Sequence, residues 1–232
     1  IGRCVAADVP LWGDAKAGIE DLSAEMSDSA ASQHTARGEY AAEVTTRMTN
    51  WRMEVQERLT SNEQPVNMAR MCHELNNTLP EDGILVADGG FAAHWTGLLC
   101  ETKAPGRHYI ANRGFASIGY GLPGSMGAQL AAGDRPVVGV TGDGGFNMMI
   151  GELETAGRLN CGLTILIVNN AASGYVKALQ QAQFGGHFQS SDLREMNYAN
   201  LANEFGCQGI RVEDPNDLAG AIQTGMAEKG TP

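Results

Sequence analysis

A parallel α/β fold, doubly wound with helices on both faces of the sheet, is predicted by three observations. Apolar β-type runs alternate with helical patterns from residue 84 onward. Two of those runs, residues 137–141 and 163–168, flank a stretch in which Met148, Met149, Leu153 and Ala156 recur at helical spacing. Strand, helix and strand of this length form one right-handed crossover, which makes the two strands parallel. Both runs then end on turn-type residues, Gly142-Asp143-Gly144-Gly145 and Asn169-Asn170, at the sheet end where open α/β folds bind ligands.

Along the chain, residues 14–20 open a short helix, and residues 23–38, polar and small without periodicity, read as a linker. Residues 39–59 are helical, with Tyr40, Val44, Met48, Trp51 and Val55 on one stripe that reads as a packing face. Pro65 opens a second helix, as the first helical position allows. Regular alternation follows: strand 84–87, helix 91–99, strand 109–111, helix 118–132, strand 137–141, helix 146–159 and strand 163–168. Helix 198–205, strand 209–212 and helix 215–227 complete the pattern.

Composition narrows the function. Sixteen basic against 27 acidic residues give a formal charge of −11, which argues against nucleic acid or an anionic membrane as partner. The five cysteines are scattered without a CxxC, as expected of reduced thiols in a cytoplasmic protein. No apolar run approaches membrane-spanning length and no signal peptide is visible. A start on Ile1-Gly2-Arg3 and an end on Lys229-Gly230-Thr231-Pro232 lead to the expectation of a segment of a longer polypeptide, cut short at its C-terminus.

Asp143 and Asn170 carry the chemistry. One carboxylate and one amide oxygen converging at the strand ends suit a hard divalent cation such as Mg²⁺, which takes few protein ligands and fills its shell with phosphate and water. The glycines after Asp143 allow a phosphate to approach the backbone closely. Either sequence alone is an ordinary turn; together, in register with a crossover, they read as a metal-diphosphate site. A dinucleotide oxidoreductase is the weaker alternative, because residues 142–147 lack the third glycine and place a carboxylate where pyrophosphate would sit. No GxxxxGK[ST] occurs, so a P-loop nucleotidase is excluded.

Gly142-Asp143-Gly144 with Asn169-Asn170 downstream resembles the metal and diphosphate motif of thiamine-diphosphate-dependent enzymes. Residues 114–123, Gly-Phe-Ala-Ser-Ile-Gly-Tyr-Gly-Leu-Pro, resemble their cofactor-contacting segment. The likeness runs from about residue 65 to the end and is nearest to the acetolactate-synthase-like branch. It implies a tail of the central domain at 1–22, a linker and connecting helix at 23–64, and a thiamine-diphosphate-binding domain at 65–232. By the same resemblance, Asp143, Asn170 and the Ala172 carbonyl hold Mg²⁺, while Gly144, Gly145, Ser173 and Gly174 meet the diphosphate. Ile118 holds the cofactor folded, with Ser117 beside it, and the Ala116 carbonyl accepts from the pyrimidine amino group; these two are the catalytic candidates. Asp88, Gly89, Gly90, Phe91, Gly142 and Tyr175 line the cofactor, whereas Gly119, Gly121 and Gly124 are structural first. His94 and Trp95 read equally as packing or catalysis, and His187, in a glycine-flanked segment that can cover the site, reads as a solvated loop residue or a substrate contact.

The pattern departs from acetolactate synthases in three places. Phe91-Ala92-Ala93 stands where they carry Gln-His-Gln, Leu179 where they carry an acceptor-selecting tryptophan, and Ala171-Ala172 where they carry an acidic pair. The expected substrate is therefore a 2-oxo acid or a related carbonyl or diketone, with carbon–carbon cleavage or carboligation both open. The family's activating glutamate belongs to the amino-terminal domain of a neighbouring subunit, which implies a homodimer or homotetramer with its active site at the subunit interface. A non-catalytic assembly scaffold of the same fold is the alternative.

Overall fold

The computed structural model describes residues 2–30, 34 and 36–232. Two compact units divide the chain, Ile1–Glu54 and Val55–Pro232. In the first, helix α1 (Ala15–Met26) starts on Asp14, whose side chain accepts from the Ala17 N–H at 3.0 Å. A 3-10 turn, Ser27–Ser29, follows it. The expected linker is thus helical as far as Ser29, because Ala24, Glu25 and Met26 are good helix formers and no Gly or Pro interrupts them. Residues 31–33 and 35 of that linker lie outside the described residues. Helix α2 (Gly38–Leu59) crosses the unit boundary, and Val55 is its buried residue. Of the other positions of the expected packing stripe, Tyr40, Val44 and Met48 are exposed and Trp51 is half-buried.

The second unit runs α3 (Met68–Thr78), β1 (Ile84–Ala87), α4 (Phe91–Leu99), β2 (Tyr109–Ala111), α5 (Gly121–Ala132), β3 (Val137–Gly142), α6 (Asp143–Met149), α7 (Glu152–Arg158), β4 (Thr164–Val168), α8 (Gly174–Phe184), α9 (Tyr198–Glu204) and α10 (Leu218–Ala227). Its sheet is parallel throughout, in the order β2-β1-β3-β4. The chain steps from β1 outward to β2 and then crosses back over β1 to β3, so the strand order reverses between β1 and β3. That reversal opens the crevice at which such sheets bind ligands.

Both faces of the central strands β1 and β3 are buried, as their near-continuous apolar runs require, while the edge strands β2 and β4 are largely half-buried. Ile84, Val86 and Val137 point to one face, where Leu122 and Met126 of α5, Leu153 and Ala156 of α7 and Tyr198 of α9 join them in one core. Leu85, Ala87, Val138 and Val140 alternate to the other face, which α3, α4 and α10 cover. Gly139 sits where α5 comes nearest to β3: a Cβ there would fall on Ser125 Oγ and lie 2.6 Å from Ile165 Cδ1.

Several boundaries differ from expectation for local reasons. Asn67 caps α3 by accepting from Ala69 N–H at 2.9 Å, so the helix starts after Pro65 rather than on it. Helix α5 begins at Gly121, not Ile118, because Gly119 is held at φ 95° and the Gly119 and Tyr120 N–H groups turn to the Asp88 carboxylate. The crossover helix begins at Asp143 and is interrupted, with i→i−3 bonds from Leu153 to Ile150 and Glu154 to Gly151 at the joint. Residues 209–212 form no strand; the Gly209 N–H is bound by the Asn203 side chain at 2.8 Å instead of by a sheet edge. The last helix opens as a 3-10 turn, Pro215–Asp217.

The Gly139 contact can be checked directly. Gly139→Ala should cost about 1–3 kcal/mol, the usual penalty for overfilling a packed core. It should appear as a lower urea midpoint at unchanged slope. Parental stability would show that α5 is not seated on β3 in this way.

Candidate functional site

The turn after β1 carries Asp88, a fully enclosed carboxylate at 1% exposure. Its Oδ1 accepts from the N–H groups of Gly89 at 2.6 Å, Gly119 at 3.0 Å and Tyr120 at 3.0 Å. Its Oδ2 accepts from Thr141 Oγ1 at 2.6 Å and from Gly119 N–H at 3.2 Å. Bonds to an ionised acceptor are each worth about 1.5–3 kcal/mol, so this ring fixes β1, β3 and the segment before α5 to one another. Glycines make room for it. A Cβ on Gly121 would come within 2.9 Å of Thr141 Cβ and 3.1 Å of Asp88 Cβ, and one on Gly145 would fall on Asp88 Oδ2. Asp88 therefore lies beneath the site, with its oxygens occupied by protein donors. Thr141 is an essential partner that has no motif to mark it in the sequence.

Asp143 follows β3 as the first residue of α6, again at 1% exposure. Its Oδ1 accepts from Gly144 N–H at 2.8 Å, while its Oδ2 is buried without a hydrogen-bond partner. Burial pushes this carboxyl above the ordinary carboxylate range. The N–H of Gly144, which donates to it, and the more distant N–H groups of Ala171, Ala172 and Asn170, none of which closes a hydrogen bond on Oδ2, pull it back only in part. Asn170, Ala171 and Ala172 follow β4, and Gly142 pairs directly with Val168, so neighbouring parallel strands deliver Asp143 and Asn170 to the same edge.

The segment after β4 is set by an antiparallel clasp. Ala171 O accepts from Leu193 N–H and Ser173 N–H donates to Ser191 O, both at 2.8 Å. Ala172 bridges Asp192 between them, so its own N–H and C=O face away from the 191–193 segment. The Ala172 N–H meets Asn170 Oδ1 at 3.3 Å. Ala171 takes φ 51°, a left-handed turn at a non-glycine residue. The Ser173 N–H is committed to this clasp, but its hydroxyl makes no capping bond. The first N–H groups of α8, from Gly174 and Tyr175 onward, have no intrahelical partner. Such a terminus favours an anion.

Phe91, at the start of α4, stands edge-on to Tyr175 at 5.3 Å and 86°. A Cβ on Gly174 would lie 3.3 Å from Asn170 Nδ2 and 3.5 Å from Phe91 Cδ2, so these residues meet at one spot. His94 stacks on Tyr175 at 5.3 Å, and its Nδ1 lies 2.6 Å from Gly90 O, which makes Nδ1 the protonated nitrogen. Of the two readings of His94, aromatic packing is the one these contacts supply. Gly90 itself takes φ 67°, with Tyr175 Cβ 3.6 Å from where a side chain would begin.

On the far side of the crevice, Ala116 takes φ 55°. Its carbonyl oxygen would be 2.9 Å from a Cβ on Gly89, and Ile118 Cγ1 3.3 Å from it. Ile118 also borders Gly145, whose Cβ would be 3.2 Å from Ile118 Cγ2, yet it remains 42% exposed. Ser117 is exposed beside it. The Gly89–Gly90, Gly142–Gly145, Asn170–Tyr175 and Ala116–Ile118 segments thus ring one crevice. His187 is exposed, with its backbone N–H on Phe184 O at 3.2 Å, in a segment held to α8 by paired bonds between the Gln180 side chain and the Gln189 backbone.

The crevice offers a cation a mixed set of oxygens. Among the described residues, no three His, Cys, Asp or Glu side chains gather as a metal site. An unpartnered carboxylate oxygen beside an amide oxygen and an outward carbonyl fits a hard cation that brings most of its own ligands. Glycine-lined backbone and a free helix N-terminus fit the phosphate that would accompany it.

The family described as thiamine pyrophosphate enzyme, C-terminal TPP binding domain, matches residues 88–232. The acetolactate synthase large subunit of Porphyra purpurea is 31% identical over 156 residues, covering 66% of this chain and 26% of that protein. Acetolactate synthase isozyme 3 large subunit of Escherichia coli (strain K12) is 25% identical over 229 residues, covering 98% of this chain and 39% of that protein. Among solved structures, the thiamine diphosphate-dependent 4-hydroxybenzoylformate decarboxylase of Rhodococcus jostii RHA1 superposes with a TM-score of 0.67 at 25% identity. That match covers 73% of this chain and 32% of the decarboxylase. The chain therefore spans between about a quarter and two fifths of the length of these relatives.

The open oxygen of Asp143 has a measurable signature. Its raised carboxyl value means that its contribution to the metal-free protein is greatest below pH 3.8, the ordinary value, and is lost as pH rises through the folded-state value. Asp143→Asn should therefore be more stable than the parent near neutral pH without metal, by on the order of 1 kcal/mol, the scale of one buried unsatisfied group. The two proteins should converge in acid. A variant less stable than the parent at pH 7 would mean that Asp143 Oδ2 has a partner.

Proposed function

The chain belongs to the thiamine pyrophosphate enzyme family, as an acetolactate-synthase-like member, and from this we propose that its crevice binds thiamine diphosphate together with Mg²⁺. We read it as part of an enzyme that breaks or forms a carbon–carbon bond beside the carbonyl of a 2-oxo acid or related diketone. The observation that carries this reading is the buried, unpartnered Asp143 Oδ2 at the mouth of a glycine-lined backbone cradle. A carboxylate in that position repels a bare diphosphate and welcomes one that arrives with a divalent cation.

In this reading Asp143 and Asn170 hold Mg²⁺ by side-chain oxygens and Ala172 by its carbonyl, which the clasp with residues 191–193 turns outward. Gly144, Gly145, the Ser173 hydroxyl and the N–H groups of Gly174 and Tyr175 receive the diphosphate. Phe91 and Gly90 close its side, and Asp88 holds the floor. Bound here, thiamine diphosphate supplies an acidic C2–H and an electron sink for cleavage or ligation next to a carbonyl. Ile118, set against Gly89 and Gly145, would hold the cofactor folded with its open half, and the Ala116 carbonyl would accept a hydrogen bond from the pyrimidine amino group.

A homodimer or homotetramer, with the active site completed by an acidic residue from a neighbouring subunit, is part of the same proposal. So is a cytoplasmic setting, supported by five free cysteines. Among the described residues no helix is long and apolar enough to cross a membrane.

Calorimetric titration of the full-length protein with thiamine diphosphate tests the proposal. Binding should require Mg²⁺ and should disappear in Asp143→Ala. Ile118→Ala should bind within about threefold of the parent but turn over at least tenfold more slowly, because ring positioning contributes to rate rather than to affinity. Metal-independent binding, or full affinity in Asp143→Ala, would sink the metal-diphosphate assignment.

A further inference from the structure

Ala116 and Ile118 sit on a loop that has little else to hold it. Residues 113–118 are all exposed, and Phe115 is 99% so. Ala116 is in the left-handed region at φ 55°, which a non-glycine residue keeps only where its surroundings enforce it. The enforcement comes from Asn112, the first residue after β2. Its backbone carbonyl accepts from Ala116 N–H at 2.9 Å, and its side-chain Nδ2 donates to Ser117 O at 2.5 Å. The Phe115–Ala116 and Ser117–Ile118 peptide groups are thereby tied to one residue anchored on the sheet, and the Ala116 carbonyl between them faces Gly89 and the crevice.

Asn112 keeps this arrangement at a cost. Its Oδ1 is buried without a hydrogen-bond partner, a condition that native structures rarely tolerate without a reason. An aspartate would add charge to that oxygen and lose the donor; an alanine would lose the tether. Only an amide of this length supplies the N–H at Ser117 O from the end of β2.

We propose that Asn112 is a positioning residue, whose side-chain amide closes the 113–117 loop and so aims the Ala116 carbonyl and Ile118 at the pyrimidine ring of the cofactor. This role rests on the reading of the crevice as a thiamine diphosphate site. It acts on the rate of proton removal at C2 rather than on affinity, because the metal and diphosphate cradle is built from β1, β3, β4 and their helices, and Asn112 belongs to none of them.

The test compares parent, Asn112→Ala and Asn112→Asp in the holoenzyme, the second variant keeping the shape of the side chain while removing its N–H. Amide hydrogen exchange before loading should accelerate in residues 113–118 and stay unchanged in β1 and β3. Affinity for thiamine diphosphate with Mg²⁺ should remain within about threefold, and deuterium uptake at C2 of the bound cofactor should slow about tenfold or more, as expected for a misplaced reacting group. A general loss of structure would instead lower affinity and raise exchange throughout the sheet, and would overturn a specific positioning role. If the parent binds the cofactor and both variants take up deuterium at the parental rate, this role alone falls. If the parent binds no thiamine diphosphate, the cofactor reading falls and this role with it.

Discussion

The carboxylate of Asp88 is the constraint on which the rest of the site depends. It gathers N–H groups from two separate turns and the hydroxyl of Thr141 around one buried charge. A charge at this depth is tolerated only when it is fully bonded. Each donor is therefore obliged to stay, and with them stay the turn after β1, the end of β3 and the unwound residues before α5. The glycines at 121 and 145 follow from the same requirement, because a side chain at either would occupy the space of the carboxylate or its partners. What reads in sequence as a glycine-rich stretch is, in the fold, a cage around one charge.

Asp143 shows the opposite treatment of the same chemical group. It is equally buried, yet one oxygen has a partner and the other has none. Neighbouring strands β1 and β3 thus end on two carboxylates, one saturated by the protein and one left incomplete. The saturated one gives rigidity. The incomplete one is a standing demand for positive charge, and a formal charge of −11 on the chain means that a cation rather than a cluster of lysines would answer it.

The strands and the pairing of Asp143 with Asn170 were legible because period, run length and strand-end chemistry all pointed the same way. The parts that were not legible depend on partners distant in sequence. Thr141 looks like an ordinary strand residue until Asp88 is placed beside it, 53 positions away. Helix α5 starts late because a carboxylate from another strand captures the N–H groups of Gly119 and Tyr120, which no local propensity records. Residues 209–212 have strand-like composition, but the Asn203 side chain takes the Gly209 N–H. Asn112 shows the same limit: in sequence it is a turn residue, and only its bonds to residues 116 and 117 reveal a tether.

A cradle made mostly of backbone separates two kinds of change. Phe91-Ala92-Ala93 and Leu179 contribute side chains, whereas the strand ends, the clasp between 171–173 and 191–193 and the free N–H groups of α8 are backbone. Backbone groups are indifferent to substitution as long as the local dihedrals persist, and the dihedrals here are held by Asp88 and by the clasp. Side chains on the rim are under no such restraint. Phe91 and Tyr175, each 39% exposed and in edge-on contact, give that rim an apolar character. Substitutions on the rim can therefore leave the backbone cradle below it unchanged, so the family is legible in this sequence while the substrate is not.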